Sequence, residues 1–299
     1  MRDLLARLLS SSIPAPCDSV VEHWRRHLAG TSDLERTIDQ AIVGGVIADR
    51  PAYAFASGYE AALHALVPSL PRETLASLCV TEEGGGHPRA IHAKLEGGRL
   101  EGGKRWSTMA PVADVLLVAA SAGEEGDKKL LRLVRLERTR AGVTIEPMPA
   151  TPFVPEVPHA RVTLAGVVVA DEDVLPGDGW ESYVKAFRTI EDVHVTAALV
   201  ANVFQAAIRY GFPDELRTRL WAMLVLFRAL ADERANDSSV HLALAGAIFE
   251  VRHVLDDAKP SWARVPAEIR DRWERDRAIL GVAEGVRTKR METAWAAMR

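Results

Sequence analysis

Apolar positions in the first 78 residues recur at three- and four-residue spacing, the pattern of amphipathic helices. In MRDLLARLLSSS the leucines are interrupted by Asp3 and Arg7, which reads as an amphipathic first helix and not as a secretory signal. Asp18 or Ser19 is positioned to cap a helix through Val21, Trp24 and Leu28 that ends at Gly30. Ser32-Asp33 is expected to start the next, and Ala52 to Leu66 form an Ala-rich amphipathic segment before Pro68. Near Leu78 the texture changes. From Cys79 to Ala170 the periodicity shortens and glycines punctuate it. Ile91 to Leu95 and Arg99 to Leu100 flank a Gly97-Gly98 hairpin signal. Val115 to Ala119 is a continuous apolar strand, which implies burial on both faces. Leu130 to Leu136, Val143 to Ile145 and Arg161 to Val169 continue the strands, with an exposed turn expected at Glu124-Glu125-Gly126-Asp127. Pro176-Gly177-Asp178-Gly179 marks a second boundary. Beyond it lie four long helical stretches, about 180–210, 213–235, 238–258 and 266–298. Leu220, Met223, Leu224 and Phe227 repeat there at helical spacing, as bundle core does. The predicted regions are 1–78 (a short helical front), 79–178 (β) and 179–299 (helical).

Composition narrows the classes of function. The chain has 299 residues, 48% hydrophobic and 26% charged, enough apolar mass for a sizeable core and for about two domains. A net charge of −4 and no basic stripe argue against a nucleic-acid binder. The cluster Arg287-Thr288-Lys289-Arg290, followed by Glu292, reads as a solvated helix face. No apolar run approaches the roughly 18 residues of a membrane span, so no membrane association is expected. Two cysteines, Cys17 and Cys79, fit buried thiols in a reducing, cytoplasmic setting better than a disulfide framework.

Some constellations carry little chemistry. His23 and His27 stand four apart, as metal ligands on one helix face do, but no third ligand follows at a recognisable spacing and no metal site is expected. Gly84-Gly85-Gly86 lacks the Lys-Ser/Thr of a P-loop and the spacing of a dinucleotide fingerprint. No Gly-x-Ser-x-Gly nucleophile elbow occurs.

Three segments in series carry more: CVTEEGGGHP (Cys79 to Pro88), LEGGKRWSTMAPVADVLLVAAS (Leu100 to Ser121) and RDRAILGVAEG (Arg275 to Gly285). They resemble, in order, three motifs of the acyl-CoA dehydrogenases: the strand ending in Thr-Glu-Pro-Gly-x-Gly-Ser, the Gly-x-Lys-x-Trp-Ile-Thr-Asn segment with its Ala-Asp and apolar strand, and the C-terminal Arg-Asp-x-x-Ile-x-x-Ile-x-Glu-Gly. VTLAGVVVADEDVLPGDGW is similar to that family's last β-domain strand and the entry to its bundle. The resemblance covers about residues 50 to 298. It implies an α+β, acyl-CoA dehydrogenase-like fold with an N-terminal helical region, a central antiparallel β-barrel-like domain and a C-terminal four-helix bundle. It also implies an FAD-dependent oxidoreductase that introduces an α,β double bond into an acyl thioester, working as a homo- or hetero-oligomer.

That reaction needs a carboxylate in a dry site to take a weakly acidic proton, donors to the thioester oxygen, and a flavin to accept hydride. By resemblance Glu284 stands at the place of the catalytic base. Trp106 and Thr108 match residues beside the flavin ring, Val80 and Thr81 match the first flavin-contacting turn, and His87 falls near the residue that touches the CoA arm. The sequence departs from the family in two ways. Its helical front is short, and LDDAKPSWARV, with Asp256 and Asp257, replaces the Gly-Gly-x-Gly-Tyr turn that approaches a neighbouring flavin dinucleotide. Two carboxylates repel a pyrophosphate. The Arg-x-x-Phe-Gly dinucleotide contact is not recognisable near Tyr210-Gly211-Phe212. These departures also suit an FAD-deficient partner subunit that stabilises or completes a second acyl-CoA dehydrogenase chain.

Overall fold

The computed structural model describes residues 1–11, 15–126 and 128–299. The chain divides into two compact units: Met1–Ala65 with Pro152–Glu156 and Thr189–Arg299, and Leu66–Thr151 with Val157–Arg188. The first is helical and draws together the front and the back of the sequence. The second carries the strands.

The helical unit begins with α1 (Arg2–Ser10), whose Leu4 and Leu8 face the core, followed by α2 (Val20–Gly30). Ser12, at the end of the predicted first segment, lies outside the described residues. Ser19 caps α2 by accepting the Glu22 N–H at 3.2 Å, and the Glu22 carboxylate in turn accepts the Asp18 N–H at 3.0 Å. Such a cap stabilises a helix by about 1 kcal/mol. The next helix does not start at Ser32-Asp33 as expected: α3 spans Thr37–Ile47. The Leu34 N–H closes a turn onto the Thr31 carbonyl at 2.9 Å, and Arg7 engages the Asp33 carboxylate at 2.7 Å. Next comes α4 (Pro51–Leu66).

The central helix is α5 (Lys185–Arg209), entered through a π-turn at Gly179–Val184. Every residue from Asp192 to Ala201 is buried, so the middle of this helix is enclosed on all sides. Two glycines let the front helices approach it closely. A Cβ on Gly45 would lie 2.1 Å from the Ala198 carbonyl oxygen, and one on Gly58 2.7 Å from Val195 Cα. Ile38, Ile42 and Val46 of α3 therefore share one core with α5, α6 (Asp214–Leu230) and α7 (Ser238–Asp257). The last stretch, expected to be one helix, breaks into α8 (Ala267–Asp276), a 3-10 turn at Arg277–Gly281, and α9 (Glu284–Ala297). Asp276 at the break is fully buried. It accepts the Val154 N–H at 2.8 Å and the Arg275 guanidinium at 2.6 Å, which pins the helix end there.

The second unit holds a seven-stranded sheet: β1 (Ala76–Cys79), β2 (Lys94–Glu96), β3 (Arg99–Thr108), β4 (Val115–Glu125), β5 (Lys128–Glu137), β6 (Val143–Pro147) and β7 (His159–Val168). The order is β1-β4-β2-β3-β7-β6, with β5 on β4. Most pairings are antiparallel, but β1 runs parallel to β4 and β2 meets β4 parallel through Lys94 and Ser121, so the sheet is mixed. Flanked by β1 and β5, Leu116 to Ala120 are fully buried, as their unbroken apolar run requires. Gly97 and Gly98, at φ +55° and +69°, make the two-residue turn that sets Leu95 opposite Leu100. Asp127, in the turn expected between β4 and β5, lies outside the described residues.

Candidate functional site

In the sheet unit the end of β1 and the outer half of β3 lie side by side. The Arg105 N–H donates to the Thr81 carbonyl at 2.8 Å, Lys104 Nζ reaches the Val80 carbonyl at 3.3 Å, and Ser77 Oγ donates to the Thr108 carbonyl at 2.7 Å. Val80, Thr81, Trp106 and Thr108, drawn from two separate motifs, are thus brought together. Trp106 has an unusual local geometry. Between Lys104, opposite Val162, and Ser107, opposite Ala160, β3 carries one extra residue. Within this bulge Trp106 takes φ +56°, a left-handed conformation costly for a bulky residue. Its indole is 45% exposed and meets the His159 ring edge-on at 6.0 Å. The bulge presents a large flat apolar face to the outside.

A buried ion pair supports this arrangement. Glu82 accepts Lys104 Nζ at 2.6 Å, the Ala93 N–H at 3.0 Å and the His92 N–H at 2.8 Å. Burial pushes the Glu82 carboxyl up. The Lys104 ammonium and the two N–H donors outweigh it, so the net shift is downward. Both residues lie inside the two motifs, but each stands beside a second residue of like charge, Glu83 or Arg105, so the sequence alone does not single out this pair.

His87 is exposed. Its Nδ1 accepts the Arg89 N–H at 3.3 Å, capping a short turn at Pro88–Ala90, and its ring lies 6.1 Å from that of Trp180. Arg188 stacks on the same indole and donates to the Gly86 carbonyl at 3.3 Å, which ties the glycine turn down.

Glu284 belongs to the helical unit. It is the first residue of α9, exposed, with Oε1 2.7 Å from Arg252. The groove it borders, with Phe249 and Met291, encloses only about 20 Å³, room for about one water. The basic cluster is not the solvated face expected of it. Arg287 and Arg290 turn inward onto the buried carboxylate of Asp192 at 2.7 and 2.5 Å. Asp256 and Asp257, where the family has its glycine turn, are held by Lys259 at 2.8 Å and Arg219 at 2.7 Å. The next residues form a 3-10 turn, Lys259–Arg264, that buries Trp262. His23 Nε2 and His27 Nδ1 converge on Ser57 Oγ at 2.8 and 3.0 Å. One hydroxyl proton serves one ring, and the oxygen accepts from the other. Cys17 and Cys79 are buried free thiols.

No family model matches the sequence. A benzylmalonyl-CoA dehydrogenase of Aromatoleum aromaticum is 31% identical over 150 residues, a match spanning 47% of this chain and 38% of that relative. Among solved structures, the electron transferring flavoprotein of Acidaminococcus fermentans superposes with a TM-score of 0.73 at 14% identity, over 98% of this chain and 96% of that one. Butyryl-CoA dehydrogenase from Megasphaera elsdenii gives 0.66 at 14% identity, over 94% and 88%. Fold and sequence point the same way: the chain has the fold of the acyl-CoA dehydrogenases. A protein it resembles in sequence is the benzylmalonyl-CoA enzyme, in a match that spans less than half of either chain. No helix among the described residues is long and apolar enough to cross a membrane.

Proposed function

We propose that the chain is an acyl-CoA dehydrogenase-like flavoprotein that oxidises an acyl thioester, with FAD as its flavin. The observation that carries this reading is Trp106, held out of its strand by a bulge beside Val80, Thr81 and Thr108. An exposed indole face in a strained backbone is suited to stacking on a flat ring. In this reading a bound flavin would supply the hydride acceptor; Trp106 and Thr108 would hold its ring edge, Val80 and Thr81 would hold it from the neighbouring strand end, and His87 would meet the CoA arm. The ring-side residues fit a flavin. The stretch from Asp256 to Val265 does not fit the dinucleotide tail of a neighbouring subunit's flavin, because its carboxylates are engaged by cations and its tryptophan fills the core. Glu284 is the candidate base. Purified protein is expected to show flavin absorption in the visible, and Glu284→Gln to abolish its bleaching by acyl-CoA. Undiminished bleaching in that variant removes Glu284 from the reaction.

A second reading, an FAD-deficient partner subunit of another acyl-CoA dehydrogenase chain, is favoured by the exposure of Glu284 and its ion pair with Arg252. A base that takes a weakly acidic proton needs a dry site. A partner chain covering α9 would supply one. Co-expression with a related dehydrogenase chain separates the two readings: a stable oligomer of this chain alone, carrying one flavin per subunit, excludes the partner role.

A further inference from the structure

The helical unit contains a cavity of about 230 Å³ that takes no part in the flavin reading. It is bounded by the start of α4, the end of α5, the turn that carries Trp262, and α8. That volume is below the roughly 300–1,000 Å³ of sites for drug-sized ligands, so its occupant is small. The walls are largely apolar and flat. Trp262 stacks on Trp273 at 5.2 Å with 6° between the rings, and Ile269 and Pro51 complete the apolar surface.

Three polar groups at this cavity lack partners among the described residues. The Trp262 indole N–H is buried without a hydrogen bond, in a residue only 3% exposed. The Tyr210 hydroxyl is likewise buried and unsatisfied. A buried donor left unmade costs about 1–3 kcal/mol, so two around one void ask for an occupant. The third group is Arg209, whose guanidinium stacks over Tyr210 at 5.0 Å and makes no ion pair among the described residues. The other charges lining the cavity are neutralised locally: Asp49 with Arg50 at 2.7 Å, and Glu268 with Arg272 at 2.6 Å. One unneutralised positive charge and two donors remain.

We infer that this cavity is a binding site for a small aromatic monocarboxylate. Its ring lies against the tryptophan pair, and its carboxylate accepts from Trp262, Tyr210 and Arg209. A neutral molecule would forgo the charge-assisted hydrogen bonds of Arg209, and a bare inorganic anion would leave the indole walls without an apolar partner.

The test is equilibrium binding of benzoate and phenylacetate to the full-length chain, by calorimetry and by quenching of tryptophan fluorescence. Benzyl alcohol and inorganic phosphate serve as comparison probes. Saturable single-site binding of at least one acid is expected, with both comparison probes weaker by about tenfold or more. Tyr210→Phe removes only the hydroxyl and Arg209→Gln alters an exposed side chain, so both variants should fold. Each should weaken the acid by about tenfold with the melting temperature unchanged. Absence of saturable binding would leave a water-filled void and overturn the proposal. Binding that neither variant weakens, or that phosphate matches, would overturn it as well.

Discussion

At the scale of one residue, Trp106 combines local backbone strain with an exposed indole, the surface on which the proposed flavin site relies. A non-glycine side chain at φ +56° costs of order 1 kcal/mol or more, and an indole 45% exposed recovers little of that through packing. Trp106→Gly is therefore expected to leave stability unchanged or to raise it by up to about 1 kcal/mol, while weakening flavin retention about tenfold through loss of stacking. Urea unfolding and flavin dissociation, measured on the same preparation, test both halves. A variant that unfolds more easily would mean that the indole packs into the structure. The tryptophan was legible in the sequence because it lies inside a motif. Its backbone conformation was not, since the bulge depends on the register of β3 against β7. Two buried histidines give a pH prediction at the same scale. Burial pulls His23 and His194 down from about 6.5 to about 4. His194 Nδ1 donates to the Ile190 carbonyl at 2.8 Å, and its Nε2 faces Thr37 Oγ1 at 3.0 Å, an arrangement satisfied by the neutral ring. The unfolded chain takes up protons at these groups near pH 6.5, whereas the folded chain waits until about pH 4. Stability is thus complete above about 6.5 and falls between 6.5 and 4, with no further loss from these groups below that. The difference of 6.5 − 4, or 2.5, corresponds to on the order of 3 kcal/mol per histidine. Urea midpoints at pH 7 and pH 5 measure it, and His194→Gln should flatten the dependence. Equal midpoints for the wild-type chain at the two pH values would contradict the neutral assignment.

Among the elements, α9 is the one whose anchoring is least visible in the sequence. Arg287 and Arg290 are three apart and so share a helix face, but the carboxylate that receives both lies 95 residues before the first of them. Read as a local run, these charges look solvated. Only the packing of α9 against α5 turns them inward onto Asp192, whose side chain is 8% exposed. Asp192→Asn leaves two half-buried guanidinium groups without a counter-charge. It is expected to cost about 3 kcal/mol, the usual penalty for removing one partner of a buried pair. The midpoint of urea unfolding should fall, and the amides of α9 should exchange faster than those of α7. Unchanged exchange in α9 would show that its apolar contacts suffice. By contrast, the Gly97-Gly98 hairpin and the buried strand β4 were legible in advance, because a two-glycine turn and an unbroken apolar run are local signals. The break between α8 and α9 was not, since it rests on the Asp276 carboxylate meeting the backbone of Val154 from a distant segment.

On the scale of the whole molecule, the sequence changes texture near residues 78 and 178, from helix to strand and back to helix. It does not reveal that the first and last helical regions share one core. The reason lies in Gly45 and Gly58, residues that ordinarily weaken a helix by about 1 kcal/mol relative to alanine. On α3 and α4 they serve close approach. A methyl group on Gly45 would press into the carbonyl of Ala198 at 2.1 Å, and one on Gly58 into the backbone of Val195 at 2.7 Å. Neither neighbour is the end of a flexible side chain, so α3 or α4 must move bodily. Gly45→Ala is therefore expected to destabilise by about 3 kcal/mol or more, and Gly58→Ala by about 1–3 kcal/mol. The control lies in the same unit. Gly246, exposed on α7, has nothing within 4 Å of where its methyl group would sit, so Gly246→Ala should stabilise by up to about 1 kcal/mol through helix propensity alone. One chemical change, made at three helical glycines, thus carries opposite signs according to what lies beyond the α-carbon. Thermal melting of the three variants side by side tests the shared core directly. If Gly45→Ala melted at or above the wild-type temperature while Gly246→Ala was stabilised, α3 would not lie against the backbone of α5, and the front helices would have to be held by something other than this contact.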